Sequence, residues 1–471
     1  MKKPADVEDQ LLGNDLPDPP RRRFLRNAAA AAAVAVAAPG LMLGKPRSAT
    51  GRPIKIGFVG PRTGALAPFG EGDDFVISGI RKFVGAGITI NGVNHPVQII
   101  DKDSQSDPIR AAEIALALIK SDRVDLMLAA STGDTVTPVS DQCEKNGVPC
   151  ITTDCPWQVY FHGRGGTPDK GFDWTYHFFW GLEDVVAVFT NMWGSIPTNK
   201  VVGGLWPDDR DGHAHSDPKI GFPPTLQAKG FTLVDPGRFE PATTDFSTQI
   251  SAFKNANVEI LTGVIPTSVF ANFWNQAAQQ GFKPKIATIA KALLFPAAVE
   301  TLGDGAAGLT TEVWWSPSHP FKSDLTGQNS TELCVAYEDE TKKQWTQPLG
   351  FRYALFEVAL DVLKRAKNVD SPAAIRDAIQ TTDYNSIVGH IAWQGNPVKN
   401  VTKTSLVGGQ WLPGWKFKQW VAGQKFKYDL MIVNNDTDPS IGTQEKLMSL
   451  PEARAEKKSA ARNSVRELLV V

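Results

Sequence analysis

The sequence predicts an α/β protein of two doubly wound parallel-sheet lobes, and three observations carry that expectation. From Ile54 onward, short and nearly continuous apolar runs alternate with amphipathic stretches, the pattern of strands covered on both faces by crossover helices. The rhythm breaks in a segment rich in Gly, aromatic residues and His, from Tyr160 to Trp180, and then restarts. The length of 471 residues suits two or three domains, and a hydrophobic content of 42% suffices to bury cores that offset the ordering entropy.

The elements follow in order. Ile54 to Gly60 reads as a strand ending in Gly-Pro, Glu71 to Val84 as a helix, and Val97 to Asp101 as a strand closed by Asp103. Pro108 to Lys120 carries Ala111, Ala115 and Leu118 on helical spacing behind a Pro in its first turn. Val124 to Ala130 is the next strand, Pro138 to Lys145 the next helix with Thr137 placed to cap it, and Cys150 to Thr153 a further strand. Tyr160 to Trp180 has the composition of a crossing between lobes. Beyond it, Glu183 to Trp193, Pro224 to Lys229, Phe246 to Asn255 and Ser268 to Gln280 read as helices. Lys200 to Trp206, Glu259 to Ile265, Lys285 to Ile289 and Gly308 to Trp315 read as strands. Helices are expected over Thr331 to Lys343, Phe351 to Ala366 and Pro372 to Ile379, with extended segments near Ile387 to Trp393 and Lys416 to Val433.

Charge and motifs exclude several function classes. With 49 Lys plus Arg against 50 Asp plus Glu, the chain lacks the basic footprint of a nucleic-acid binder. Four cysteines are too few for a disulfide scaffold; Cys143 and Cys150 suit either a bridge or buried free thiols. There is no Gly-x-Ser-x-Gly elbow, no His-Glu-x-x-His and no phosphate loop, so no catalytic residue is assigned and no enzyme is expected. His213-Ala214-His215 is an incomplete metal signature and is expected on a surface loop; no metal or cofactor is expected.

Arg21-Arg22-Arg23-Phe24-Leu25-Arg26, followed by the small apolar run Ala28 to Ala38, resembles a twin-arginine signal peptide, with Pro20 in place of the usual hydroxyl residue. An eleven-residue apolar core is too short to span a bilayer, and no run of about 20 apolar residues follows. The resemblance implies export of the folded protein to the periplasm, with cleavage after Ala37, after Ala38 or near Ala49.

Several strings share an order across the chain: Ile54-Lys55-Ile56-Gly57 to Pro61 with Thr63-Gly64 and Phe69-Gly70; Ile100 to Asp103 with Asp107-Pro108; Asp125 to Ser131 with Pro138 and Ser140-Asp141; Asp245-Phe246; and Gly350-Phe351. In that order they resemble the branched-chain amino-acid (leucine-binding-like) type I periplasmic binding proteins of ABC importers, from about Ile54 to Asn435. The resemblance implies two lobes joined by a three-crossing hinge, residues 52–180 plus 316–403 and 181–315 plus 404–440. Residues 1–49 are then signal and linker, and 441–471 a charged tail. It implies a monomeric receptor that closes on a small carboxylate-bearing or amide ligand and passes it to an ABC permease of the inner membrane. A sensor module and an exported enzyme are the alternatives.

For the site, the resemblance implies that Ser131 and Thr132 grip a ligand carboxylate, the donor-rich strand-to-helix junction suiting an anion. Thr153 and Asp154 match ligand-contacting positions; Asp154 replaces a small residue and suits either a ligand donor or a turn cap. Pro266 and Thr267 stand where the family carries an aromatic-polar pair. Ala290 or Lys291 stands where the family carries an acid for the ligand ammonium; Lys291 suits a ligand with more negative charge or no ammonium, or else an exposed helix start. Phe69, Trp157, Trp206, Trp314 and Trp315 are expected at the cleft edges, one or two of them touching ligand, the rest packing.

Overall fold

The computed structural model describes residues 50–414 and 426–456; the proposed signal segment and the end of the charged tail lie outside them. The chain opens with β1 (Ile54–Gly60), turns through the hairpin β2 (Ile88–Ile90) and β3 (Val93–His95), and continues with β4 (Val97–Asp103), β5 (Leu126–Ala130), β6 (Cys150–Thr153) and β7 (Thr175–Phe178). Strands β8 (Val201–Leu205), β9 (Thr232–Val234), β10 (Ile260–Ile265), β11 (Ile286–Lys291) and β12 (Thr310–Val313) follow. A second hairpin, β13 (Asp383–Ser386) and β14 (Gly389–Ala392), precedes β15 (Val401–Thr402), β16 (Val407–Pro413) and β17 (Tyr428–Asn434).

Two large sheets result. The first has the order β15-β7-β6-β5-β1-β4 and the second β17-β16-β12-β11-β10-β8-β9. Every pairing in the first sheet is parallel. The second is parallel from β9 to β12, with β16 and β17 added antiparallel at its edge. The inner strands β5, β6, β10 and β11 are buried along their whole length, which is why they read as unbroken apolar runs rather than alternating ones. The chain leaves the first sheet after β7, returns to it at β15 and leaves again for β16, and the helix Gln347–Arg365, almost wholly buried, packs beneath the first sheet.

Three expectations are corrected. Tyr160 to Trp180 is not only a crossing: it contains the end of a short helix (Trp157–Phe161) and β7, a strand of the first sheet. The helix expected at Pro138 begins at Gly133, so Thr137 is an interior residue whose hydroxyl donates to the Gly133 carbonyl at 2.6 Å. Pro138 sits inside that helix and cannot offer an amide to the carbonyl one turn back, the feature that made it look like a start. His213 and His215 lie on a helix, Arg210–His215, and not on a loop. The four cysteines are buried free thiols. No described helix is long and apolar enough to cross a membrane.

Candidate functional site

The strands of both sheets deliver their carboxyl ends to one cavity of about 30 Å³. From the first sheet's side it is lined by Phe69, Thr132, Asp154, Cys155, Pro156, Phe179 and Trp180. From the other side come Asp211, His215, Val264, Ala290, Lys291, Leu294, Glu312 and Trp314. The volume admits a water or two in this closed arrangement, because four rings converge on it. Phe69 stacks on Trp314 at 6.2 Å, Phe179 meets Trp314 edge-on at 4.9 Å, and Trp180 lies 4.7 Å from Phe179.

Backbone strain concentrates at the strand ends that supply the site. Ser131, after β5, has φ 120°; Asp154, after β6, has φ 71°; Lys291, ending β11, has φ 62°. L-residues rarely adopt such angles, and each costs about 1–3 kcal/mol that the surrounding structure must offset. At the first of these junctions Thr132 caps the helix Gly133–Asn146, its hydroxyl accepting from the Asp134 amide at 3.3 Å.

Of the residues singled out from sequence, the fold brings Phe69, Thr132, Asp154, Lys291 and Trp314 to the cavity, and the other five do not border it. Ser131 is fully buried beside Thr132. The Thr153 hydroxyl is spent within the sheet, donating to the Phe178 carbonyl at 2.7 Å. Trp206 folds back over Gly204, where a Cβ would stand 2.5 Å from its Nε1, and packs on Phe222 at 5.5 Å. Pro266 and Thr267 begin the helix Thr267–Gln279, two and three residues past the lining residue Val264 of β10. Trp157 and Trp315 are also absent from the lining: Trp157 donates to Glu183 at 3.0 Å and Trp315 to the Ile387 carbonyl at 3.0 Å.

Sequence reading missed Phe179 and Trp180, hidden in the supposed crossing, and Asp211 and His215. The available signal for the last two was Asp209 three residues before Gly212, a helix cap realised at 2.7 Å.

The charges are internally paired, and this corrects both readings of Lys291. It is neither exposed nor a free anion-seeking charge: its Nζ lies 2.5 Å from Asp211 and 3.4 Å from Asp209, with only 8% of the side chain accessible. Burial works against that ammonium, but the fields of Asp211 and Asp209 more than offset it and hold its pKa above the ordinary value. Asp154 is held neither by a turn nor by an open cleft but by Arg352, at 3.1 Å. The same guanidinium binds Asp73 at 2.5 Å and the Phe69 carbonyl at 2.9 Å, tying three elements of the first sheet's side together. Burial still pushes Asp154 up to about 7, with Arg352 pulling it down. Burial likewise pushes Glu312 up to about 7 and, with help from Asp211, Asp134 to about 6. His215 is buried and its pKa is lowered, so its ring is neutral; Nδ1 donates to the Asp211 carbonyl at 2.8 Å.

Residues 53–409 match the family model described as periplasmic binding protein. Among solved structures, a leucine-binding protein from Thermotoga maritima is 20% identical, with a TM-score of 0.59 over 76% of this chain and 95% of that one. A branched-chain amino-acid transporter substrate-binding protein from Streptococcus pneumoniae is 16% identical, with a TM-score of 0.62 over 84% and 99%. A solute-binding protein of an ABC transporter from Rhodopseudomonas palustris is 18% identical, with a TM-score of 0.62 over 81% and 96%. At these identities the structural likeness speaks for the fold, and the family match covers well over half the sequence: the chain belongs to the periplasmic binding proteins.

Proposed function

We propose that this protein is the extracytoplasmic solute receptor of an ABC importer, exported folded by the twin-arginine route, which closes two lobes on a small organic solute and delivers it to a membrane permease. Lobe 1 is taken as residues 52–180 plus 316–403 and lobe 2 as 181–315 plus 404–440. The observation that carries the reading is one cavity built from the carboxyl ends of both sheets, with aromatic walls and a few buried polar groups, the composition of a small-molecule site. Solved relatives of this fold hold isoleucine in one case and 3,4-dihydroxybenzoic acid in another. Here Phe69, Thr132, Asp154, Lys291 and Trp314 would contact or immediately support the solute. Ser131, Thr153, Trp206, Pro266 and Thr267 support the site from behind the wall. No step of this function calls for a nucleophile or cofactor, so the protein is read as a binder and not an enzyme.

Uptake by cells tests the importer reading. A strain lacking this chain should lose energy-dependent uptake of the compound that the purified protein carries. Intact uptake with loss of a response to that compound would favour the sensor reading instead.

A further inference from the structure

Five buried polar atoms of the lining residues lack a hydrogen-bond partner, three of them carboxyl or imidazole atoms and two of them indole N–H groups. Asp154 Oδ1, Asp211 Oδ1 and His215 Nε2 are buried without a hydrogen-bond partner. All three belong to lining residues that are 5% exposed or less. Because the Asp211 carbonyl can only accept, His215 Nδ1 carries the ring proton, and Nε2 of the neutral ring presents a lone pair. Asp211 Oδ1 and His215 Nε2 are therefore acceptors, and so is Asp154 Oδ1 whenever that carboxyl, pushed up to about 7 by burial, is ionised. The Trp180 and Trp314 indole N–H groups are unpartnered donors on the same wall, and Thr132 has a hydroxyl proton to give.

Charge points the same way. Lys291 faces Asp209 and Asp211, Arg352 faces Asp73 and Asp154, and Arg210 faces Asp134 at 3.3 Å. Each cation meets at least one carboxylate, two of them meet two, and Glu312 adds another carboxyl to the lining with no cation among its pairings. Acidic groups thus outnumber basic ones around the cavity. Four aromatic rings complete it, and ring faces attract cations that have left water. Buried acceptors left unpaired are costly, so a ligand that supplies donors to Asp211 and His215 gains there.

Resting on the solute-receptor reading, we propose that the ligand presents an amine-type cation, a primary ammonium or an amidinium on a compact apolar body, to Asp211, His215 and the Trp180–Trp314 wall, and that a ligand carboxylate is not required. This departs from the anionic ligand that Lys291 suggested in the sequence. Its positive charge is already matched twice, and Asp134 stands in the first turn of the helix that would otherwise attract an anion.

Size-matched probes separate the charge assignment from the receptor role. Titration calorimetry on the mature protein compares 3-methylbutylamine with 4-methylpentanoate, and 2-phenylethylamine with 3-phenylpropanoate. At least one amine is expected to bind tenfold or more tighter than its carboxylate partner. Asp211→Asn is expected to reduce that preference by tenfold or more; should that variant fold poorly, Glu312→Gln, which removes a carboxyl without an ion pair, is expected to weaken amine binding severalfold. A carboxylate binding as tightly as its amine, or an amine preference untouched in both variants, overturns the assignment while leaving the receptor reading in place. Absence of binding by all four probes up to millimolar concentration overturns it as well, and the receptor reading then rests on the solute recovered from the native protein.

Discussion

Lys291 Nζ lies 2.5 Å from Asp211 Oδ2, and both side chains are almost wholly buried. That pair joins the end of β11 to the helix Arg210–His215, and it decides how the cavity's charge is understood. Removing one partner of a buried ion pair leaves the other uncompensated, a loss of about 3–5 kcal/mol. Lys291→Met is therefore expected to destabilise the protein to that extent in denaturant unfolding. A loss below about 1 kcal/mol would show that the pair is solvated in solution.

The Arg352 guanidinium, bound to Asp73 and Asp154, gives a second and separate expectation. Arg352→Met should cost about as much as Lys291→Met, since in each case two carboxylates lose their cation. Adding Asp154→Asn should recover part of the loss, measured as a positive coupling in a double-mutant cycle. Strict additivity would contradict the shared-cation arrangement.

Several carboxyls are held above their ordinary pKa by burial: Asp154, Glu312 and Asp429 to about 7 and Glu357 to about 8. The folded state binds those protons more tightly than the unfolded chain, so the stability they contribute is present at low pH and is lost as pH rises through the raised values. His177 and His319, lowered to about 3, act in the opposite sense, but only below about pH 6.5, where the unfolded imidazoles take up protons. Between pH 6.5 and 8.5 the melting temperature should fall, and Glu357→Gln should flatten that slope. A rising melting temperature across the window would be the contrary result.

Ser131 is strained at φ 120°, and its buried hydroxyl has no partner. Glycine adopts positive φ without the Cβ penalty, so Ser131→Gly should be neutral or stabilising by about 1 kcal/mol. Thr132→Ala beside it should cost about 1 kcal/mol through the lost helix cap. Chemical unfolding of both variants checks the pair; a Ser131→Gly protein less stable than Thr132→Ala would reverse the assignment.

Export has its own test. Arg21 and Arg22 changed together to Lys should strand the precursor in the cytoplasm, read by fractionation; undiminished export would remove the twin-arginine reading.

Much of the architecture was legible because buried parallel strands must be apolar on both faces, and β1, β6 and β10 show this within a residue of their ends. β7 was not legible: Thr175–Phe178 is four residues long, contains His177 and is flanked by Gly and Trp that resemble a linker. At the site, Asp154 and Lys291 lie at strand ends, where local pattern fixes position, and Phe69 lies in the short helical turn Ala67–Gly70 that follows β1. Their partners could not be placed, since Arg352 stands 198 residues from Asp154 and Lys291 82 residues from Asp209. Trp206 shows the same limit: a strand-end ring looks available until a glycine two residues earlier lets it fold away.

Native mass spectrometry of the protein isolated from the periplasm without refolding, paired with the Trp314→Ala variant, tests the central claim most directly. The expected spectrum shows one small organic molecule bound one-to-one to the wild-type chain and largely absent from the variant. A wild-type protein that carries no small molecule under these conditions, or one retained equally by Trp314→Ala, would contradict a solute site in this cavity.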